Sequence, residues 1–317
     1  MKNLLNKFDY DDINLIPRYS VVDSRAECDT SISFGNFKFK NPIIPANMES
    51  VISEEIAINL AKNNYFYIMH RFGVDNIEFI RKVKKEKCVS SISIGVNEGD
   101  YHLIENLISE NLIPDYITID IAHGHCKKMK KILRFLRNKN ISSFIIAGNV
   151  SSIEATVDLD NWGADAIKVG VGPGSACTTF PTTGFGSRNI QASVVHECST
   201  VTKKIIIADG GIKTPADITK SIVLGASMVM VGGMISCMID SPGKVIEMDD
   251  GTKYKEFYGS ASSRQGKASR IEGTIKLNKL KNVTIIEYLD YLTECLQSSI
   301  SYGGGRRLED LHSVRWI

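Results

Sequence analysis

Eight short apolar segments recur along this chain at nearly even spacing, and that beat constrains its fold more than any other feature. They are Asn41–Met48, Tyr65–His70, Val89–Val96, Tyr116–His123, Ser143–Val150, Ala166–Pro173, Lys204–Gly211 and Met228–Met234. Their interiors are near-continuous apolar runs rather than polar–apolar alternations, the pattern of parallel strands covered on both faces. Amphipathic stretches lie between them, including Ser53–Asn63, Asp75–Glu86, Ser151–Trp162 and Thr214–Leu224. Ser53 precedes two glutamates, and Thr214 precedes a proline in the first helical position; both are helix-start signals. Gly163 and Gly225 stand where a helix-ending glycine belongs. Eight strand–helix units of about 23–28 residues fit a (β/α)8 (TIM) barrel better than a doubly wound sheet.

The sixth interval is longer, at about 38 residues, because a glycine-rich segment and Phe180–Asn189 are added to it. After the eighth strand comes an irregular piece, Asp240–Leu280, and then a final helix over Thr284–Ser299. Barrel active sites lie at the C-terminal strand ends. The expectation is therefore one domain over residues 1–317, with a mobile active-site loop near 174–189 and a flap near 240–280.

Bulk properties narrow the partners. A net charge of +2 over 317 residues, without long like-charge blocks, gives no electrostatic case for nucleic acid. The basic run Lys127, Lys128, Lys130, Lys131, Arg134 and Arg137 has helical spacing and reads as a solvated face. Residues 222–239 are almost uncharged, but five glycines and serines interrupt them, so a buried strand with turns is expected rather than a membrane span. The first ten residues lack an apolar core, so no signal peptide is expected. Seven cysteines without any C-x-x-C pair point to a reducing cytoplasm.

Chemistry gathers at three consecutive strand ends. The sixth strand runs into Gly170-Val171-Gly172-Pro173-Gly174-Ser175-Ala176-Cys177-Thr178-Thr179. The seventh ends in Asp209-Gly210-Gly211, and the eighth in Gly232-Gly233. Glycines let backbone N–H groups close on an anion, and strands seven and eight are the usual place for phosphate in a barrel. Asp209 beside them suits a pair of ribose hydroxyls, because a carboxylate accepts two hydrogen bonds. The glycine order lacks the spacing of a dinucleotide fingerprint. Cys177 differs from the other cysteines in its glycine-rich approach and in the two threonines behind it, and reads as a nucleophile. His123 and His125 lack ligand company at zinc spacing and are expected to line the pocket.

These motifs, together with Phe8–Pro17, Ser24–Thr30, Pro45–Met48, Tyr116–His125, Ile146–Val150, the late Phe257–Ser262 and Gln297–Gly305, resemble the inosine monophosphate (IMP) dehydrogenase / guanosine monophosphate (GMP) reductase family. The likeness spans essentially the whole chain and is nearest to the shorter bacterial reductases. The dehydrogenases activate water with an Arg-Tyr pair on a flap, whereas the one Arg-Tyr here is Arg18-Tyr19, far upstream. The spacing also leaves no room for inserted CBS modules. The reductase branch is therefore favoured over a dehydrogenase without those modules and over a catalytically silent nucleotide-binding barrel.

The resemblance implies NADPH-dependent deamination of GMP to IMP. Cys177 would attack purine C2, with Thr179 and Glu272 relaying a proton to the departing amine. It places Ser175, Gly210, Gly211, Gly232 and Gly233 at the phosphate, Asp209 at the ribose, and Gly259, Ser260, Ala261 and Gly273 around the base. The cofactor would lie against Arg71, Asp120, Ala122, His123, Asn149, Lys168 and Gly170. Its far end would be held across a subunit boundary by Ser24, Arg25, Ser299 and Tyr302, which implies a homotetramer. The family's potassium site, where it occurs, uses the backbone carbonyls of Gly172, Gly174 and Cys177. Departures from the animal-type reductases fall in the base-reading stretch, with Ser260-Ala261-Ser262 after Tyr258-Gly259 and Ser269-Arg270 before Glu272, and at Phe180-Pro181 after the threonines.

Overall fold

The structure, a computed structural model, describes residues 7–259 and 274–317. After two 3-10 turns, Tyr10–Asp12 and Arg25–Glu27, comes a small antiparallel hairpin, β1 (Ile32–Phe34) and β2 (Phe37–Phe39), turned at Gly35 with φ of 58°. The strands of the main sheet follow: β3 (Ile43–Pro45), β4 (Ser91–Ile94), β5 (Tyr116–Asp120), β6 (Phe144–Val150), β7 (Ala166–Val169), β8 (Ile205–Asp209) and β9 (Met228–Val231). They are all parallel, in the order β3-β9-β8-β7-β6-β5-β4, so the first barrel strand pairs with the last and the sheet curls on itself. This is the α/β TIM-barrel architecture expected from the spacing.

One strand departs from the expectation. Tyr65–His70 joins the sheet through a single parallel bridge, Met69 to Ile92. Part of the missing ladder is supplied by a side chain: the Tyr67 hydroxyl donates to the Val89 carbonyl at 2.9 Å and accepts the Ser91 N–H at 3.3 Å. A phenol occupying backbone partners in this way leaves fewer of them for a regular ladder.

The intervening helices are α1 (Glu54–Lys62), α2 (Asn76–Lys85), α3 (Glu98–Ser109), α4 (Lys127–Asn138), α5 (Ile153–Trp162), α6 (Thr179–Thr183), α7 (Gln191–Ser199) and α8 (Pro215–Val223), with α9 (Ile285–Tyr302) closing the fold. The predicted signals act as expected. Ser53 accepts the Ile56 N–H at 3.3 Å, Thr214 and Asp217 form a capping box, and Gly163 ends α5 with φ of 106°. Residues 222–239 form the end of α8, the buried strand β9 and a turn; among the described residues no helix is long and apolar enough to cross a membrane.

The segment after β9 is more regular than its sequence suggests. Strands β10 (Val245–Glu247), β11 (Lys253–Tyr258) and β12 (Ile275–Lys279) make an antiparallel sheet. Its anchor is Lys255, buried with its ammonium donating to the carbonyls of Ile239 (3.0 Å) and Ser241 (2.5 Å). Charged residues alternate along these strands, and that disguises them as loop.

The opposite, N-terminal end of the barrel is sealed by aromatic rings. Phe34 on the hairpin is fully buried, with ring centroids 4.9 Å from Phe66, 5.3 Å from Tyr116 and 4.8 Å from Phe144. The Tyr116 hydroxyl donates to the Phe34 carbonyl, which satisfies the one polar atom in the plug. Truncation to Phe34→Ala is expected to cost about 3–5 kcal/mol of stability, because the rings around it cannot collapse into the space. Denaturant unfolding measures that loss. Ligand affinity at the C-terminal face should stay within about twofold of wild type once the variant is folded, since the plug lies at the opposite end of the barrel.

Candidate active site

A cavity of about 780 Å³ opens over the C-terminal ends of the barrel strands. Its floor is a charge cluster built by strand register. Asp120 on β5 pairs with Gly148 on β6, which pairs with Lys168 on β7, so the three lie at one level of the barrel. Lys168 is 2% exposed, and its ammonium lies 2.8 Å from Asp120 Oδ1 and 2.8 Å from Asp209 Oδ2. Gly148 makes this possible: a Cβ there would stand 2.4 Å from the Lys168 Cβ.

Side-chain amides complete the cluster. Asn47 Nδ2 donates to Asp120 Oδ2 at 3.0 Å. Asn149 Nδ2 donates to Asp209 Oδ2 at 2.7 Å and to the Gly170 carbonyl at 2.7 Å. Burial alone would push the Asp120 carboxyl up, but Lys168, Asn47 and Arg71 outweigh it and hold it below the usual carboxylate range. Burial likewise disfavours the Lys168 ammonium, and its two carboxylates more than offset this, raising it above an ordinary lysine.

The glycine-rich loop fits against this floor through close backbone approaches. Gly170 has φ of 152°, and a Cβ there would fall 1.8 Å from the Asp209 carbonyl. Gly210 has φ of 90°, and its Cβ would meet Pro173 and the Gly174 nitrogen at 2.9 and 3.0 Å. Buried Gln191, opening α7, ties the loop down: its Nε2 donates to the carbonyls of Val169 (2.8 Å) and Asp209 (3.3 Å), and its Oε1 accepts from Ser187 (2.5 Å). The turn closes when the Cys177 N–H donates to the Gly174 carbonyl at 3.0 Å. The half-buried Cys177 thiol lies 3.2 Å from Thr179 Oγ1, a hydrogen-bond distance for sulfur.

Most predicted residues share this cavity. Ser175, Cys177, Thr179, Asp209, Gly210, Gly211, Gly232, Gly233 and Gly259 line it, as do Arg71, Asp120, Ala122, Asn149, Lys168 and Gly170. Gly172 and Gly174, named for their carbonyls, line it as well. Ser260, Ala261, Glu272 and Gly273 lie outside the described residues. His123 is exposed and outside the lining, and His125 is turned away: its Nε2 is 2.8 Å from Asp158 Oδ2 and its ring stacks on Trp162.

Ser24, Arg25, Ser299 and Tyr302 do not reach the cavity within one chain. Ser24 caps the turn Arg25–Glu27, and Arg25 donates to Ser298 at 3.1 Å. Ser299 and Tyr302 line a separate hollow of about 360 Å³ beside Leu15–Pro17. Arg18, of the Arg-Tyr pair, donates to Ser313 and also lies away from the cavity.

Three contributors carried little signal in the sequence. Asn47 follows the first barrel strand and was visible only as part of a motif. Gln191 looks like any helix-start residue. Asn278 of β12 donates to Ser236 Oγ at 2.8 Å beside Gly233, across a pairing that no local pattern announces.

Known proteins share this sequence over nearly its whole length. A family model described as the IMP dehydrogenase / GMP reductase domain matches residues 7–316. A GMP reductase from Acidovorax sp. (strain JS42) is 47% identical over 311 residues, covering 98% of this chain and 95% of that protein. One from Mesoplasma florum is 48% identical over 312 residues, covering 98% and 97%. Another from Pediococcus pentosaceus is 47% identical over 312 residues, covering 98% and 95%. The chain belongs to the IMP dehydrogenase / GMP reductase family.

Proposed function

We propose that this chain is a GMP reductase, converting GMP, NADPH and two protons to IMP, NADP⁺ and ammonium, in purine salvage. The observation that carries the reading is one cavity holding both a thiol beside a hydroxyl, Cys177 and Thr179, and a carboxylate flanked by glycine turns, Asp209 with Gly210 and Gly211. Three similar proteins named GMP reductase support it.

In this reading the phosphate of GMP lies on Ser175 and the backbone N–H groups of Gly211, Gly232 and Gly233, while its ribose hydroxyls donate to Asp209. Gly232 leaves room for Phe257, whose ring would be 3.1 Å from a Cβ at that position. Cys177 sulfur bonds to purine C2, and the C2–NH2 bond breaks as the amine takes up a proton, leaving a thioimidate. Thr179 Oγ1, within reach of that sulfur, moves the proton, partnered by Glu272 as the family resemblance implies. When C2 has accepted hydride, the C2–S bond breaks and the electron pair returns to Cys177.

The cavity also fits a nicotinamide dinucleotide. Arg71 Nε is buried without a partner, and its guanidinium stacks 4.4 Å from the centre of the Phe72 ring at the cavity wall. Bound there, against Ala122, Asn149 and Gly170, NADPH supplies the hydride. Holding the far end of the cofactor with Ser24, Arg25, Ser299 and Tyr302 requires a neighbouring copy, so we assign a homotetramer. Segments 174–189 and 240–280 serve as loop and flap around the bound pair. Of the three carbonyls named for potassium, that of Gly174 closes its turn with the Cys177 amide, and no step here depends on a cation. A thiol nucleophile suits a cytoplasmic enzyme.

Incubation with GMP and NADPH is expected to oxidise NADPH and release ammonia, while IMP with NAD⁺ gives no NADH. NADH formation in the second mixture overturns the reading in favour of a dehydrogenase. Silence in both with retained GMP binding makes the chain a binding module. Cys177→Ala is expected to lose about a thousandfold or more in turnover while still binding GMP. Acid-quenched wild type should carry a GMP-minus-ammonia adduct, which the variant lacks.

The depressed Asp120 carboxyl sets a pH signature. Its stabilisation is full above the unfolded value of about 3.9 and is lost as pH falls through its lower folded value. Lys168 runs the other way along its own titration: its contribution is full below the ordinary lysine range and is lost as pH rises through its raised value, while in acid it goes with the Asp120 charge that it pairs. Asp120→Asn should cost about 3–5 kcal/mol at neutral pH, with a gap to wild type that is flat above roughly pH 5 and closes below it. Urea unfolding at a series of pH values measures this, and a constant gap down to about pH 2 contradicts it.

A further inference from the structure

We infer that Lys168 belongs to the nucleotide side of the site, as the positioning residue that fixes Asp209 for ribose, rather than to the cofactor. The inference rests on Asp209 receiving the ribose. Lys168 is 2% exposed, and its ammonium is spent on Asp120 Oδ1 and Asp209 Oδ2, with Met230 Sδ its next neighbour at 3.9 Å. Two of its three N–H groups are taken by carboxylates and the third is within reach of Met230 Sδ, although Lys168 is among the residues lining the cavity.

What the ammonium does is orient a carboxylate. Asp209 Oδ2 accepts from both Lys168 and Asn149, at 2.8 and 2.7 Å. Two donors on one oxygen hold the carboxylate plane in place and leave Oδ1 for the cavity, where a ribose diol can donate to it. Asp120 is the other end of the strut. Its Oδ1 is held by Lys168 and its Oδ2 by Asn47, so the carboxylate expected on the cofactor side anchors Lys168 instead.

The chain of support therefore runs from Asn47 through Asp120 and Lys168 to Asp209. Strand register places the middle links: Asp120, Gly148 and Lys168 share one level, and the missing side chain at Gly148 opens the lane between β5 and β7. A residue that orients a ligand group without touching the ligand shows itself in the discrimination that group provides.

The test compares GMP with its 2′-deoxy and 3′-deoxy forms, in wild type, Lys168→Met, Lys168→Arg and Asp120→Asn. Wild type is expected to bind GMP about tenfold or more tightly than at least one deoxy form, through a charge-assisted hydrogen bond. In Lys168→Met that ratio should fall to about one, with the KM for GMP raised about tenfold and the KM for NADPH within about twofold of wild type. Lys168→Arg should restore part of the discrimination, because it keeps the charge, and Asp120→Asn should lose part of it despite lying away from the ribose. If Lys168→Met does not fold, Lys168→Arg and Asp120→Asn carry the test by the same ratio.

A raised KM for NADPH with intact ribose discrimination overturns the inference and returns Lys168 to the cofactor. Unchanged discrimination with only a lowered thermal midpoint makes Lys168 a structural strut and also overturns it. A wild-type protein that does not bind GMP counts against the proposed function itself, so the two failures are distinguishable.

Discussion

The site depends on one buried ammonium. Two carboxylates brought to one ammonium repel each other and resist burial. Lys168, 2.8 Å from each, offsets that repulsion and draws Asp120 and Asp209 together beneath the cavity. Its own burial is tolerated for the same reason. The backbone makes the arrangement possible: parallel pairing aligns Asp120, Gly148 and Lys168, and glycine in the middle leaves a lane wide enough for a lysine stem. Exchanging Gly148 for any larger residue would attack the electrostatics through sterics, with a Cβ 2.4 Å from that of Lys168.

Above that floor the loop is shaped by close backbone contact, with the side-chain bonds of Gln191 added to it. At Gly170 and Gly210 the chain adopts positive φ while passing so near its neighbours that a Cβ would collide with backbone atoms. These are the positions at which the loop after β7 meets the turn after β8, so Cys177 and Asp209 are held in fixed relation. Gln191 secures the same joint from below, bonding carbonyls on both strands. Cys177 and Asp209 are 32 residues apart by number, yet one packed interface positions them both.

The barrel was legible in the sequence because parallel strands buried on both faces leave uninterrupted apolar runs, and because Ser53, Thr214 and Gly163 mark helix ends through local chemistry. The second strand was over-read. Its apolar run is real, and Tyr65 to Met69 are all buried, but Tyr67 places its hydroxyl where part of a backbone ladder would run. The β10–β12 sheet was under-read, since its anchor is a lysine and its strands alternate charges. Within the site, the glycines and Cys177 announced themselves by composition. The role of Lys168 did not, because it is set by the distances to two carboxylates 48 and 41 residues away in sequence. His125 failed in the opposite sense: its motif neighbours reach the cavity wall while its own ring is claimed by Asp158 and Trp162.

The two ends of the barrel divide stability from chemistry along the strand direction. Tyr116 and Asp120 are the first and last residues of the same strand, one in the aromatic plug and the other in the charge cluster. The plug is apolar apart from a hydroxyl bonded to Phe34, so it stabilises without needing exact electrostatic balance. The floor is the reverse: mostly polar, paired atom by atom, and costly if any partner is removed. A single β-strand thus connects a region in which shape carries the energy to one in which charge does. The second can keep Asp209 Oδ1 uncommitted to Lys168 or Asn149 because packing at the far end holds the strands in register.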